Sequence, residues 1–145
     1  MVRMSRRGGF TLIETVISLS ILATVIYLAS TSFLNLAPKY KLERAAWEVA
    51  AALSAAKMRA VYEEADFRFT AERTGYRLEK RENPSKPWAV ETKRTIEGVS
   101  ISATNSPVFT PEGGVAGLAT VTVSNAWGAY KVTVAITGRI KTTRL

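Results

Sequence analysis

From Thr15 to Pro38 the chain carries no charged side chain, and past Pro38 its apolar positions become evenly spaced. At about 1.5 Å of helical rise per residue the uncharged run reaches roughly 36 Å, enough to cross a hydrocarbon core of about 30 Å. Beyond it, Leu42, Ala46, Val49, Leu53, Ala56 and Ala60 recur at intervals of four and three residues. That spacing lays them on one helical face, with Lys41, Arg44, Glu48 and Arg59 off it. The pattern predicts one long helix, apolar all round in its first half and amphipathic in its second. Continuous from Phe10 to Tyr62, it would measure about 80 Å. A kink or loosened turn is expected at Pro38, whose nitrogen has no hydrogen to give the Leu34 carbonyl. Alanines along the second half (Ala45, Ala46, Ala50, Ala51, Ala52, Ala55, Ala56, Ala60) favour helix and also let a sheet approach closely.

After Asp66 the helical period is replaced by alternation. Phe67 and Phe69 alternate with Arg68 and Thr70, and Gly75 to Lys80 follow a Thr74-Gly75 turn, which predicts a first hairpin. Glu82 to Pro87, with two prolines, reads as an exposed loop before Trp88-Ala89-Val90 and a short strand at Val99-Ser100-Ile101. Val121 and Val123, then Tyr130, Val132, Val134 and Ile136 after the Asn125-Ala126-Trp127-Gly128 turn, predict a second antiparallel hairpin with one buried face. Gly138 interrupts this pattern and implies a turn or bulge before a short last strand. The fold class is α+β, a long N-terminal helix packed on an antiparallel sheet domain.

Charge orients the uncharged run. Arg3, Arg6 and Arg7 precede it, with no acid among residues 1–13, so the N-terminus should stay on the cytoplasmic side and the C-terminal part should cross. A secretory signal peptide would place its small residues after the apolar stretch, whereas Gly8 and Gly9 lie before it. A plain signal anchor fits everything except Glu14. A carboxylate at membrane depth costs about 2.5–3.5 kcal/mol on insertion scales and is by default a candidate functional group. Its natural partner is a cation, such as the N-terminal ammonium of a neighbouring copy. The structural alternative is a side chain that reaches the headgroups from the first helical turn, where the helix dipole favours an acid.

Composition narrows the chemistry. The chain has 145 residues, no cysteine and no histidine. Disulfides, thiolate metal sites and the usual general base are therefore absent, and no metal or cofactor site is expected. Asp66 is the only aspartate, and the glutamates are mostly scattered beside Lys or Arg, as in Glu79-Lys80-Arg81-Glu82, which reads as a solvated surface. No enzymatic constellation emerges. The leader holds three of the 20 Lys and Arg residues, so the rest of the chain sets 17 against 12 acids, a net +5. About 100 residues remain for one extracytoplasmic domain.

The stretch Arg6-Arg7-Gly8-Gly9-Phe10-Thr11-Leu12-Ile13-Glu14 resembles the class III signal of type IV pilins and type II secretion pseudopilins. The resemblance implies cleavage between Gly9 and Phe10 by a membrane prepilin peptidase and N-methylation of the Phe10 amine. It also implies that Glu14 neutralises the N-terminal amine of an adjacent subunit during assembly. Phe109-Thr110-Pro111-Glu112-Gly113 and the later Gly138-Arg139-Ile140 are similar to the C-terminal half of the GspH/FimT family of minor pseudopilins and minor pilins. On that reading residues 1–9 are a leader, 10–38 a transmembrane and assembly helix, and 39–145 an extracytoplasmic domain. The domain comprises an amphipathic helix at 39–62 and a β domain at 66–145.

Two roles follow from this resemblance. The first is a structural subunit of a type II secretion pseudopilus, held in the inner membrane with its domain in the periplasm and partnered by other pseudopilins. The second is a minor pilin that binds DNA for uptake through a C-terminal Gly-Arg-X-Arg element. Here the element reads Gly138-Arg139-Ile140-Lys141, with Arg144 and Lys131 adjoining. Lysine in the last place can neutralise a phosphate but lacks the bidentate fork. The competing reading is a solvated strand end on a mildly basic protein.

Overall fold

The computed structural model describes residues 11–145, and the side chains of all of these except 31–36. One helix, α1, covers Leu12–Tyr62 and is followed by nine strands. These are β1 (Asp66–Glu72), β2 (Gly75–Arg81), β3 (Ala89–Thr95), β4 (Ser100–Ala103), β5 (Val108–Phe109), β6 (Val115–Ala116), β7 (Ala119–Asn125), β8 (Gly128–Val134) and β9 (Ile140–Arg144). The chain divides into two compact units, Met1–Leu36 and Ala37–Leu145.

In the first unit the helical stretch Leu12–Ser30 has a mean hydropathy of 2.1 and none of it is buried. Its length and composition suffice to cross a bilayer. Its hydroxyls are turned back onto the helix: Ser20 donates to the Val16 carbonyl at 2.8 Å, Thr24 to Ser20 at 2.9 Å and Ser30 to Ile26 at 2.8 Å. Hydroxyls that would otherwise face lipid unpaired are thus satisfied within the segment.

In the second unit the helical face read from the sequence is the face that is buried. Leu42, Ala46, Val49, Leu53, Ala56 and Ala60 all lie in the interior, while Tyr40, Trp47, Met58 and Tyr62 are exposed. α1 passes through Pro38 as helix, so the proline ends no element. Two antiparallel sheets share the core with this face: a five-stranded sheet ordered β3-β2-β1-β5-β6 and a four-stranded sheet ordered β4-β7-β8-β9. Phe67, Phe69, Phe109, Val121, Val123, Val132 and Val134 point inward and are fully buried.

Several strand boundaries depart from the sequence expectation. The first hairpin turns at Arg73-Thr74, and Gly75 is already in β2, opposite Glu72. Glycine is required there because a Cβ would come within 1.9 Å of the Arg94 carbonyl oxygen of β3. β3 runs on to Thr95 as a polar edge strand, with Arg94 opposite Tyr76. It was legible only at Ala89-Val90, because Glu91-Thr92-Lys93-Arg94-Thr95 has no apolar face. Thr110 to Gly114 close a small hairpin between β5 and β6, in which the Thr110 N–H donates to the Gly114 carbonyl at 3.1 Å. β8 stops at Val134, so Ile136 is not on the buried face but 69% exposed. The turn ahead of β9 takes its place: the Gly138 N–H donates to Ala135 at 2.8 Å, and Gly138 adopts φ +71°.

Glu79 corrects a second expectation. It is not a solvated surface acid; among the described residues it is the sole buried charged side chain. Directly across the β1–β2 ladder, Arg68 Nε donates to its carboxylate at 2.7 Å, and Thr70 Oγ1 donates to the same oxygen at 3.2 Å. The Arg68 and Arg81 guanidiniums lie 4.3 and 4.5 Å from the Trp88 ring centre, and Arg81 pairs with Asp66 at 2.6 Å. Burial alone would raise the Glu79 carboxyl, but Arg68, Thr70 and Arg77 outweigh it and hold the group below its ordinary value.

Candidate functional site

Two regions collect the residues singled out in the sequence. The cleavage junction Gly9-Phe10 lies outside the described residues. Glu14 stands in the first turn of α1, and its N–H donates to Thr11 Oγ1 at 3.3 Å. Thr11-Leu12-Ile13-Glu14 therefore has the form of a capping box, in which the threonine before the helix accepts from the third helical N–H and an acid occupies that third position. The capping threonine and the acid were both visible in the sequence, but only the backbone geometry joins them into one device. The same turn thus gives Glu14 a local reason to be acidic, beside any role toward a partner.

The second region is the outer surface of the four-stranded sheet at its β8–β9 edge. Lys131, Arg139 and Lys141 line one open hollow of about 510 Å³ with Thr133, Ala135, Thr143 and Leu145. Strand alternation explains the grouping. Lys131 lies opposite Thr143 and Thr133 opposite Lys141, so these four side chains share a face while Val132 and Val134 point to the core. Arg139 joins them from the turn, where its carbonyl accepts the Ala135 N–H at 2.9 Å. Arg144 lies opposite Tyr130 and belongs to the other face of β9, so the structure brings together three of the four cations and separates the fourth. Among the described residues none of the three forms an ion pair, and each is exposed. They present unneutralised positive charge to solvent.

The turn that carries Arg139 is fixed from α1. Lys57 Nζ donates to the Gly138 carbonyl at 3.2 Å and reaches the Thr137 carbonyl at 3.5 Å. A Cβ at 138 would meet the Lys57 Cε and Nζ at 2.7 Å and displace the flexible end of that lysine from the turn. Nothing in the sequence marks Lys57 for this role, because its partners are backbone carbonyls 80 and 81 residues away. Beside the same turn lies a cavity of about 830 Å³ lined by Ser54, Lys57, Met58, Val61, Tyr62, Gly138 and Ile140. Among the described residues no three of His, Cys, Asp and Glu stand together as metal ligands.

Comparison with known proteins bears on the N-terminal segment and on the fold. Residues 4–26 match the prokaryotic N-terminal methylation motif. The minor pseudopilin EpsH of the Vibrio cholerae type 2 secretion system superposes with a TM-score of 0.61 at 13% identity, over 72% of this chain and 97% of that one. The Pseudomonas aeruginosa type IV minor pilin FimU superposes with a TM-score of 0.60 at 17% identity, over 72% of this chain and 90% of that one. No curated protein matches the chain in sequence. The fold is thus the α+β, type IV pilin-like fold shared by minor pseudopilins and minor pilins. This chain joins that fold to a prepilin-type methylation motif and an apolar N-terminal helix.

Proposed function

We propose that the chain is a minor pseudopilin of the GspH type, a structural subunit of a type II secretion pseudopilus. A prepilin peptidase cuts between Gly9 and Phe10, and the Phe10 amine is methylated. Residues 10–38 hold the subunit in the inner membrane until assembly, while residues 39–145 form the periplasmic domain. Other pseudopilins are its partners, and Glu14 neutralises the Phe10 ammonium of a neighbour. The observation that carries this reading is the order of parts: a methylation motif at residues 4–26, an apolar helix starting inside it, and behind it the fold shared by minor pseudopilins and minor pilins. Co-expression with a prepilin peptidase tests the processing step. The intact mass should drop by residues 1–9 and rise by one methyl group, and an unchanged mass would remove the reading.

The hollow on the β8–β9 edge favours a second reading, a minor pilin that binds DNA. Lys131, Arg139 and Lys141 form one unpaired cationic surface. Three phosphate contacts would give a log–log salt slope of about −2 to −3 with duplex DNA. In detergent-solubilised full chain, Arg139→Ala with Lys141→Ala should flatten that slope and weaken binding at low salt. Binding indifferent to both salt and the substitutions would leave secretion as the assignment.

A further inference from the structure

Four strands stand at sheet edges, β3 and β6 in one sheet and β4 and β9 in the other. An open edge offers unpaired backbone groups to any extended chain, and proteins usually blunt it. β3 is polar on both faces beyond Val90, β6 has two residues, and β4 is tied to the first hairpin through the Ile101 N–H, which donates to the Arg73 carbonyl at 2.9 Å. β9 has no such cover. The Ala135 N–H donates to the Arg139 carbonyl and the Leu145 N–H to the Ala129 carbonyl, both at 2.9 Å, which sets the phase of the ladder. Lys141 and Thr143 therefore turn their backbone groups to β8, and those of Ile140, Thr142 and Arg144 point away from it. Among the described residues no backbone hydrogen bond outside the β8–β9 ladder reaches these three.

Beside that edge lies a groove with α1 as its other wall. Two hollows of about 830 and 440 Å³ share Ser54 and Ile140, and Trp47, Met58, Val61 and Tyr62 line them along α1. Those four side chains are exposed. From Trp47 to Tyr62 the helix advances about 22 Å, and the five residues of β9 span about 17 Å, so the groove matches one added strand in length.

Strand alternation dictates what the occupant carries. Its side chains beside Ile140 and Thr142 would face the apolar wall of α1, and those beside Lys141 and Thr143 would face the side that holds Lys131, Arg139 and Lys141. Among the described residues those three cations have no ion pair. β9 of a second copy does not fit, since pairing the two edges would set Lys141 of both chains on one face, and like charges across strands destabilise.

We propose that an extended segment of a partner protein, in which apolar residues alternate with Asp or Glu, adds as a strand beside β9 in the groove along α1. Main-chain hydrogen bonds to Ile140, Thr142 and Arg144 hold it, the α1 wall takes its apolar side chains and the cations take its acids. The surface belongs to the second compact unit alone.

The full chain in phosphatidylcholine nanodiscs is titrated into a fluorescent, end-capped octapeptide of alternating valine and glutamate, followed by anisotropy. Saturable binding is expected. The same side chains on a fully N-methylated backbone should bind about tenfold more weakly, and so should the plain peptide to Thr142→Pro, which removes an N–H that faces away from β8. Lys141→Glu should weaken the valine–glutamate peptide and favour a valine–lysine one. No binding, or binding that neither N-methylation nor Thr142→Pro diminishes, would overturn the added strand. Duplex DNA bound equally by the native chain and Thr142→Pro, with no peptide bound, would overturn it too and give the cations to phosphate.

Discussion

Glu14 has two physical reasons to be acidic, and its neighbours separate them. As the third helical residue after Thr11 it occupies the acid position of a capping box, a place that glutamine can also fill. As an anion in an apolar segment it can neutralise a partner's ammonium, which glutamine cannot do. Glu14→Ala removes both properties and Glu14→Gln only the charge. Both variants are expected to be cleaved normally and both to enter fibres poorly, read by immunoblot of the processed form and of the sheared fibre fraction. Full incorporation of the Gln variant would assign the residue to capping alone. Gly75 and Gly138 show a different kind of residue-scale constraint, since the Arg94 backbone carbonyl occupies the space of a side chain at 75 and the turn holds residue 138 at φ +71°, a conformation that favours glycine. Glycine was plain in the sequence at both positions, but neither the Arg94 carbonyl beside 75 nor the backbone angle at 138 was.

Among elements, the paired strands β1 and β2 and the C-terminal end of α1 carry the chemistry most sensitive to acid. Glu79 is held below its ordinary value by Arg68, and Glu63 is lowered to about 2, chiefly by its hydrogen bond from Arg59 and then by that from Lys80. A carboxylate with a lower pKa folded than unfolded binds fewer protons in the native state. Its stabilisation is complete above the unfolded value near 4.3 and is lost as pH falls through the folded value. Glu79→Gln, which imitates the protonated group, is expected to cost about 1–3 kcal/mol at pH 7 through its lost charge-assisted hydrogen bonds. That difference should narrow as the pH is lowered from 5 toward 3, followed as Tm by circular dichroism. A gap independent of pH would show that the Arg68–Glu79 pair contributes through packing alone. Elements with strong periods were legible from sequence: the α1 face at Leu42, Val49 and Leu53, and the alternating valines of β7 and β8. Those missed had no period to read. β3 is polar on both faces, β5 and β6 have two residues each, and Ile136 continues an alternation that the Ala135–Gly138 turn has already ended. Glu79 was misread because local charge pattern cannot reveal that Arg68, eleven residues earlier, stands directly opposite.

At the scale of the whole molecule, the chain combines a segment suited to lipid with a domain that buries its own core, joined through a single helix element. Inside the domain the interior is apolar and closed, with Phe67, Phe69 and Phe109 packed among the valines of the four-stranded sheet. What remains open to partners lies outside: the apolar stretch Leu12–Ser30, the exposed aromatics of α1 and the cations at the β8–β9 edge. Such a division suits a subunit that is stored in a membrane and later packed against others. The second reading uses the same body and differs only in what the cationic edge contacts. The cationic trio was legible as residue types in the sequence, whereas the register of β8 and β9 was needed to set Arg144 apart from it. Fibre incorporation is the measurement that reaches the central claim most directly. The full chain is expressed with the pseudopilin assembly machinery and a prepilin peptidase, and sheared fibres are probed for it. The account predicts that the processed form, beginning at Phe10, is found in the fibre fraction at a level well below the major subunit. Correct processing with the chain confined to the membrane fraction, whatever machinery is supplied, would contradict it.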